Sequence, residues 1–78
     1  MKARIYVTLK PDVLDPQGKA VFHSLQELGY EEVADVRIGR YLEVELEGTP
    51  DAARKRLDEM CRRLLANPVI EEYRVEVA

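Results

Sequence analysis

The sequence predicts an α+β fold: a two-layer sandwich of order β-α-β-(β)-α-β, with two helices on one face of a mainly antiparallel sheet. Three observations point to it. Apolar residues alternate with period two near the start, middle and end of the chain; Asp15-Pro16 and Thr49-Pro50 each have the grammar of a helix start; and apolar residues recur every three to four positions after each proline.

The first strand places Ala3, Ile5, Val7 and Leu9 on one face and Arg4, Tyr6, Thr8 and Lys10 on the other, and Pro11 ends it. Asp15 then supplies a side-chain acceptor at an N-cap, and Pro16 takes the first helical position, where its missing N–H costs nothing. The helix is expected to run to Gly29, with Val21, Leu25 and Leu28 as its apolar stripe. Gly18 weakens its first turn by about 1 kcal/mol relative to alanine.

From Val36 to Leu46 the even positions read Val, Ile, Arg, Leu, Val, Leu and the odd ones Arg, Gly, Tyr, Glu, Glu. A two-residue turn at Gly39-Arg40 would send Leu42, Val44 and Leu46 to the face opposite Ile38, so it is disfavoured. Two arrangements remain: a three-residue loop over 39–41 joining two strands, or one long strand bent at Gly39 with Arg40 pointing inward or off the sheet edge.

Thr49-Pro50-Asp51 opens the second helix, with a carboxylate near the positive end of its dipole. Its expected stripe is Ala53, Leu57, Met60 and Leu64, joined by Cys61 and Leu65. Asn67 is expected to stop it in a left-handed conformation, and Pro68 forbids continuation. The last strand sets Tyr73, Val75 and Val77 against Glu72, Arg74 and Glu76.

At 78 residues the chain is expected to form one domain, 1–78, with a thin core, because a chain of this size buries only roughly 60 to 65 % of its unfolded surface. Tyr6, Thr8, Tyr30 and Tyr41 fall at outward positions, so a homodimer or homotetramer is expected to complete the core. A net charge of −3 argues against nucleic acid as main partner, and no apolar run is long enough for a membrane. With one cysteine and no signal-peptide pattern at Met1–Ile5, the cytoplasm is the expected compartment.

The residues offer no catalytic constellation. Cys61 has no partner cysteine and no histidine at ligand spacing, so it reads as a buried thiol. His23 flanks the first helix's stripe with no Ser or Cys in a triad arrangement. Glu31-Glu32 and Glu71-Glu72 read as solvated faces, and Gly39 and Gly48 stand outside any phosphate loop. No catalytic residue, cofactor or metal is expected. Arg62-Arg63, with Arg54 and Arg56 earlier on the helix, can receive an acidic partner surface or serve only as the helix's solvated side. These features point to a binding or assembly module.

Three stretches carry a resemblance: "IYVTLKPDVLDPQG" at 5–18, "SLQELGYEEVADVRIGRYLEVEL" at 24–46 and "CRRLLANPVIEEYRVEV" at 61–77. Leu14-Asp15-Pro16-Gln17-Gly18, and Leu64-Leu65-Ala66-Asn67-Pro68-Val69-Ile70-Glu71 followed by Tyr73, closely resemble PurS, the small subunit of phosphoribosylformylglycinamidine synthase. Asp12 departs from the glycine common there, which bears on turn geometry. The resemblance implies a non-catalytic assembly subunit bridging a PurL-type ATP-dependent synthetase and a PurQ-type glutaminase, which together convert formylglycinamide ribonucleotide, glutamine and ATP to formylglycinamidine ribonucleotide. It also implies strand-exchanged oligomers, and a strand at the chain end suits exchange. The expected partner-binding residues are Arg62, Arg63, Asn67 and Tyr73. The rival reading is a free-standing regulatory domain of ferredoxin-like order that binds a small metabolite, although no convergent polar site marks one.

Overall fold

A computed structural model describes residues 1–77. Its elements are β1 (Lys2–Leu9), α1 (Pro16–Glu27), β2 (Gly39–Glu45), α2 (Pro50–Met60), a π-helical turn (Cys61–Leu65) and β3 (Glu71–Val77). The sheet is three-stranded in the order β2-β1-β3, and both pairings are antiparallel.

Period-two alternation places the core as expected. Ala3 lies opposite Val44 and Val77, Ile5 opposite Leu42 and Val75, and Val7 opposite Arg40 and Tyr73. α2 covers this face with Ala53 and Leu57, and the π turn adds Cys61. Ile5, Val7, Leu57 and Cys61 are fully buried, and each large aliphatic side chain so removed from water contributes about 1.5–3 kcal/mol.

Both helix starts form as the sequence predicts. Asp15 caps α1 by accepting from the Gly18 N–H, Thr49 caps α2 by accepting from the Ala52 N–H, and a proline follows each cap. Gly29, at φ 98°, takes the left-handed position just beyond α1.

Four expectations are corrected. The stretch from Val36 to Leu46 contains neither a hairpin nor a long bent strand: a single strand begins at Gly39, and the preceding residues 33–38 are not paired in the sheet. The even-position parity nonetheless holds, since Arg40, Leu42 and Val44 share the core face.

The second correction concerns the end of α2. The helix closes through a wide turn in which the Ala66 N–H donates to the Cys61 carbonyl at 2.9 Å, five residues back. The wider turn shifts the phase of the stripe. Leu65 therefore packs on the core while Leu64, at 82 % exposure, faces outward.

Third, Asn67 does not adopt a left-handed conformation: among the described residues, every one with positive φ is a glycine. Ala66 leaves the turn extended, and Asn67 shapes the next bend through its side chain: its Oδ1 accepts from the Val69 N–H at 3.1 Å.

The fourth correction is the placement of α1. Of the two helices, only α2 contributes to the core. Val21 and Leu28 on α1 are 41 % and 73 % exposed, and Gly18 is its one buried residue. The molecule is accordingly extended, 49 × 25 × 14 Å with a radius of gyration of 15.8 Å, where a compact chain of this length would give about 11.5 Å.

The cause lies at the base of the helix. Asp15 Oδ2 accepts from the Ile38 N–H at 2.7 Å while its Oδ1 caps the helix. A Cβ on Gly18 would stand 2.3 Å from the Val36 carbonyl oxygen, so the backbones meet in direct contact there. Farther out, Gln26 Nε2 donates to the Val33 carbonyl at 2.9 Å. α1 thus packs along residues 33–38 as an arm rather than over the sheet.

Candidate functional site

Two arginines of the π turn have different surroundings. Arg62 Nη2 pairs with Asp58 Oδ2 at 3.1 Å, and the Tyr73 hydroxyl donates to Asp58 Oδ1. One carboxylate thereby joins Arg62, on the turn, to Tyr73, on β3. The Asp58 hydrogen bond, with burial, raises the Tyr73 phenol above its ordinary range. Arg63 is freer. Its Nη1 lies 3.4 Å from Glu59 Oε1, Arg56 meets the same carboxylate at 3.8 Å, and both guanidiniums are largely exposed. Between them a groove of about 290 Å³ is lined by Arg56, Glu59, Met60, Arg63, Leu64 and Leu65.

Asn67 belongs to a separate cluster. Its backbone N–H donates to Glu71 Oε1 at 2.7 Å, and its carbonyl accepts from the Glu71 N–H, also at 2.7 Å. Arg40 closes this cluster: it reaches both Glu71 oxygens, at 3.0 and 3.2 Å, and the Leu65 carbonyl at 2.7 Å. The Asn67 N–H, aided by the Arg40 guanidinium, holds the Glu71 carboxyl below the usual carboxylate range. The four expected partner-binding residues therefore divide into Arg62 with Tyr73, Arg63 beside the groove, and Asn67 in a junction that shapes the entry to β3.

Asp15, expected only as a helix cap, and Arg40, expected to point inward or off the sheet edge, also hold distant segments, and Glu71 and Arg37 join them as organising residues that the motifs did not mark. A signal for Arg40 existed, since it is the one charged residue on the apolar parity of its strand. Nothing local marked Arg37, which spans 27 and 24 residues to the Lys10 and Val13 carbonyls, each at 2.9 Å.

The sheet face opposite α2 is polar and aromatic. The Tyr6 and Tyr41 rings lie 5.2 Å apart, Arg74 stands over Tyr6 at 4.4 Å, and Lys2 pairs with Glu43 at 3.2 Å. Cys61 is buried, and burial, together with the nearby Asp58 charge, pushes its thiol up, away from the thiolate a nucleophile needs. Among the described residues, no three His, Cys, Asp or Glu side chains are grouped as metal ligands, and no helix is long and apolar enough to cross a membrane. The arrangement suits protein contact through exposed arginines, an apolar groove and an uncovered helix.

Comparison with known proteins agrees with the residue motifs. A family model described as PurS, phosphoribosylformylglycinamidine (FGAM) synthase, matches residues 2–78. The PurS subunit of FGAM synthase from Synechocystis sp. is 57 % identical over 75 residues, covering 95 % of this chain and 75 % of that protein. The Bacillus subtilis PurS subunit is 53 % identical over 76 residues, covering 97 % and 90 % respectively. The crystal structure of Bacillus subtilis PurS superposes with a TM-score of 0.90 at 52 % identity, covering 99 % of this chain and 96 % of that one. A chain in the structure of PurLQS from Thermotoga maritima superposes with a TM-score of 0.82 at 36 % identity, covering 96 % and 93 %.

Proposed function

Because the chain belongs to the PurS family of FGAM synthase subunits, we propose that it is the small assembly subunit of that synthase in purine biosynthesis. The observation that carries this reading is the likeness, over nearly the whole of both chains, to a chain of the PurLQS structure. As such a subunit it associates with a PurL-type synthetase and a PurQ-type glutaminase, and with itself as a homodimer or homotetramer. The complex converts formylglycinamide ribonucleotide, glutamine and ATP to formylglycinamidine ribonucleotide.

Residues 1–78 act as one PurS-like domain in the cytoplasm and carry none of the chemistry. A buried Cys61 whose thiol is pushed up supports that division of labour, since a glutaminase needs a reactive thiolate. The partner-binding residues are Arg62 and Arg63, exposed on the π turn, with Tyr73 orienting Arg62 through Asp58 and Asn67 setting the backbone beside them.

Reconstitution tests this. Purified chain is mixed with PurL-type and PurQ-type subunits, and glutamine- and ATP-dependent product formation is followed. The expected result is a rate that depends on this chain, with no turnover by the chain alone. An equal rate when it is omitted would overturn the proposal.

A further inference from the structure

The hydrogen-bond parity of β1 and β3 leaves one side of β3 open. The Lys10 N–H donates to the Ile70 carbonyl at 2.9 Å. In the register that follows, Thr8 with Glu72, Tyr6 with Arg74 and Arg4 with Glu76 are therefore the pairs that exchange backbone hydrogen bonds. The odd residues between them turn their N–H and carbonyl groups away from β1. Two contacts agree with this parity: the Glu71 N–H reaches the Asn67 carbonyl at 2.7 Å, and Arg54 Nη1 reaches the Val75 carbonyl at 3.5 Å. β3 is an edge strand, in the order β2-β1-β3. Among the described residues, the Arg54 guanidinium is the only partner that the outward groups of Tyr73 and Val75 have, and it stands at the far limit of a hydrogen bond.

A groove of about 340 Å³ adjoins this edge, lined by Arg54, Lys55, Asp58, Tyr73 and Val75. Asp58 is already engaged, by Arg62 at 3.1 Å and by the Tyr73 hydroxyl. Neither Arg54 nor Lys55 meets a carboxylate among the described residues. The charge left over in the groove is thus positive, beside the half-buried side chains of Tyr73 and Val75. An extended segment bonded to the outward groups of Tyr73 and Val75 would send every second side chain into this groove. Aspartate or glutamate at those positions would meet Arg54 and Lys55.

We propose that β3 receives an extended acidic segment of an enzyme subunit as an added strand, its backbone paired with Tyr73 and Val75 and its carboxylates facing Arg54 and Lys55. Arg54 then exchanges its long contact with the Val75 carbonyl for a carboxylate, which accepts a stronger, charge-assisted bond. The inference rests on the proposed assembly role and states which part of a partner subunit this chain holds.

The test uses the intact chain with PurL-type and PurQ-type subunits. Native mass spectrometry shows whether they assemble, and amide exchange resolved to single residues is compared between the free chain and the complex. In the free chain the Arg74 and Glu76 amides are expected to exchange slowly and those of Tyr73 and Val75 quickly; on assembly the latter two should slow at least about 10-fold. Val75→Pro removes the outward N–H, a change an edge strand accepts where that N–H faces solvent. Arg54→Glu with Lys55→Glu reverses the groove's charge on the exposed side of α2, and so tests the contact even where the proline variant does not fold. Each folded variant is expected to need at least about 10-fold more chain to reach half the reconstituted rate. No complex with the parent chain would overturn the assembly role and this inference with it. A complex in which the Tyr73 and Val75 amides exchange as in the free chain, or a charge-reversed variant that assembles like the parent, would overturn this inference alone. Slow exchange of both amides in the free chain would also overturn it, because the edge would already be occupied.

Discussion

Arg40 and Glu71 sit on opposite edge strands of the sheet and clasp each other across the end of β1, with guanidinium-to-carboxylate distances of 3.0 and 3.2 Å. The same guanidinium holds the Leu65 carbonyl, so one side chain ties β2, β3 and the π turn together. A bidentate contact of this kind needs the planar fork of arginine.

Replacing Arg40 should therefore loosen one end of the sheet. Arg40→Ala is expected to cost about 1 kcal/mol, lowering the melting temperature by roughly 4–8 °C for a chain this size, with Arg40→Lys recovering little. Thermal melts at one fixed protein concentration check this. A lysine variant as stable as the parent would show that charge alone suffices.

Stability should fall in acid over a definite window. The Ile38 and Gly18 N–H groups hold Asp15 below the ordinary carboxylate range, and the Asn67 N–H with Arg40 does the same for Glu71. Both carboxyls take up protons more readily in the unfolded chain, so their contribution is complete above about pH 5 and is lost as pH falls through their lowered folded values. Urea midpoints between pH 7 and pH 3 should decline below about pH 4, and Glu71→Gln should flatten part of that decline.

Gly18 tests the base of the arm. A methyl group there would meet the Val36 carbonyl oxygen at 2.3 Å, so Gly18→Ala, normally favourable in a helix, is expected to destabilise by about 1–3 kcal/mol. Hydrogen exchange should locate the damage, with faster exchange in residues 16–28 and 33–38 and little change in β1. A variant more stable than the parent would contradict this contact.

Arg62 and Arg63 should matter more for the synthase than for the fold. Their side chains are 62 % and 79 % exposed and pair with surface carboxylates, so the double change to alanine is expected to alter stability by less than about 1 kcal/mol. The reconstituted rate with glutamine and ATP should drop at limiting subunit concentration and recover in part at high concentration. An unchanged rate would make them only the helix's solvated side.

Local rules account for what the sequence determined by itself. Alternation over Ala3, Ile5 and Val7 chose the core face of β1; Asp15-Pro16 and Thr49-Pro50 started both helices; Gly29 marked the turn after α1. Each of these depends on neighbours within a few residues, which a sequence displays directly. The matching motifs reached the family for the same reason. Tertiary structure decided the rest. Whether α1 lies on the sheet or leaves it depends on Asp15 meeting Ile38, 23 residues away. Whether Leu64 or Leu65 faces the core depends on a turn one residue wider than the helical repeat. Asn67 and Arg40 became parts of one junction only when Glu71 arrived between them. Periodicity within an element can set which face is apolar, but it holds no information about what that face will meet. For α1 the hydrogen bonds at its base point the helix away from the sheet, so its apolar stripe stays out of the core that periodicity alone would have assigned to it.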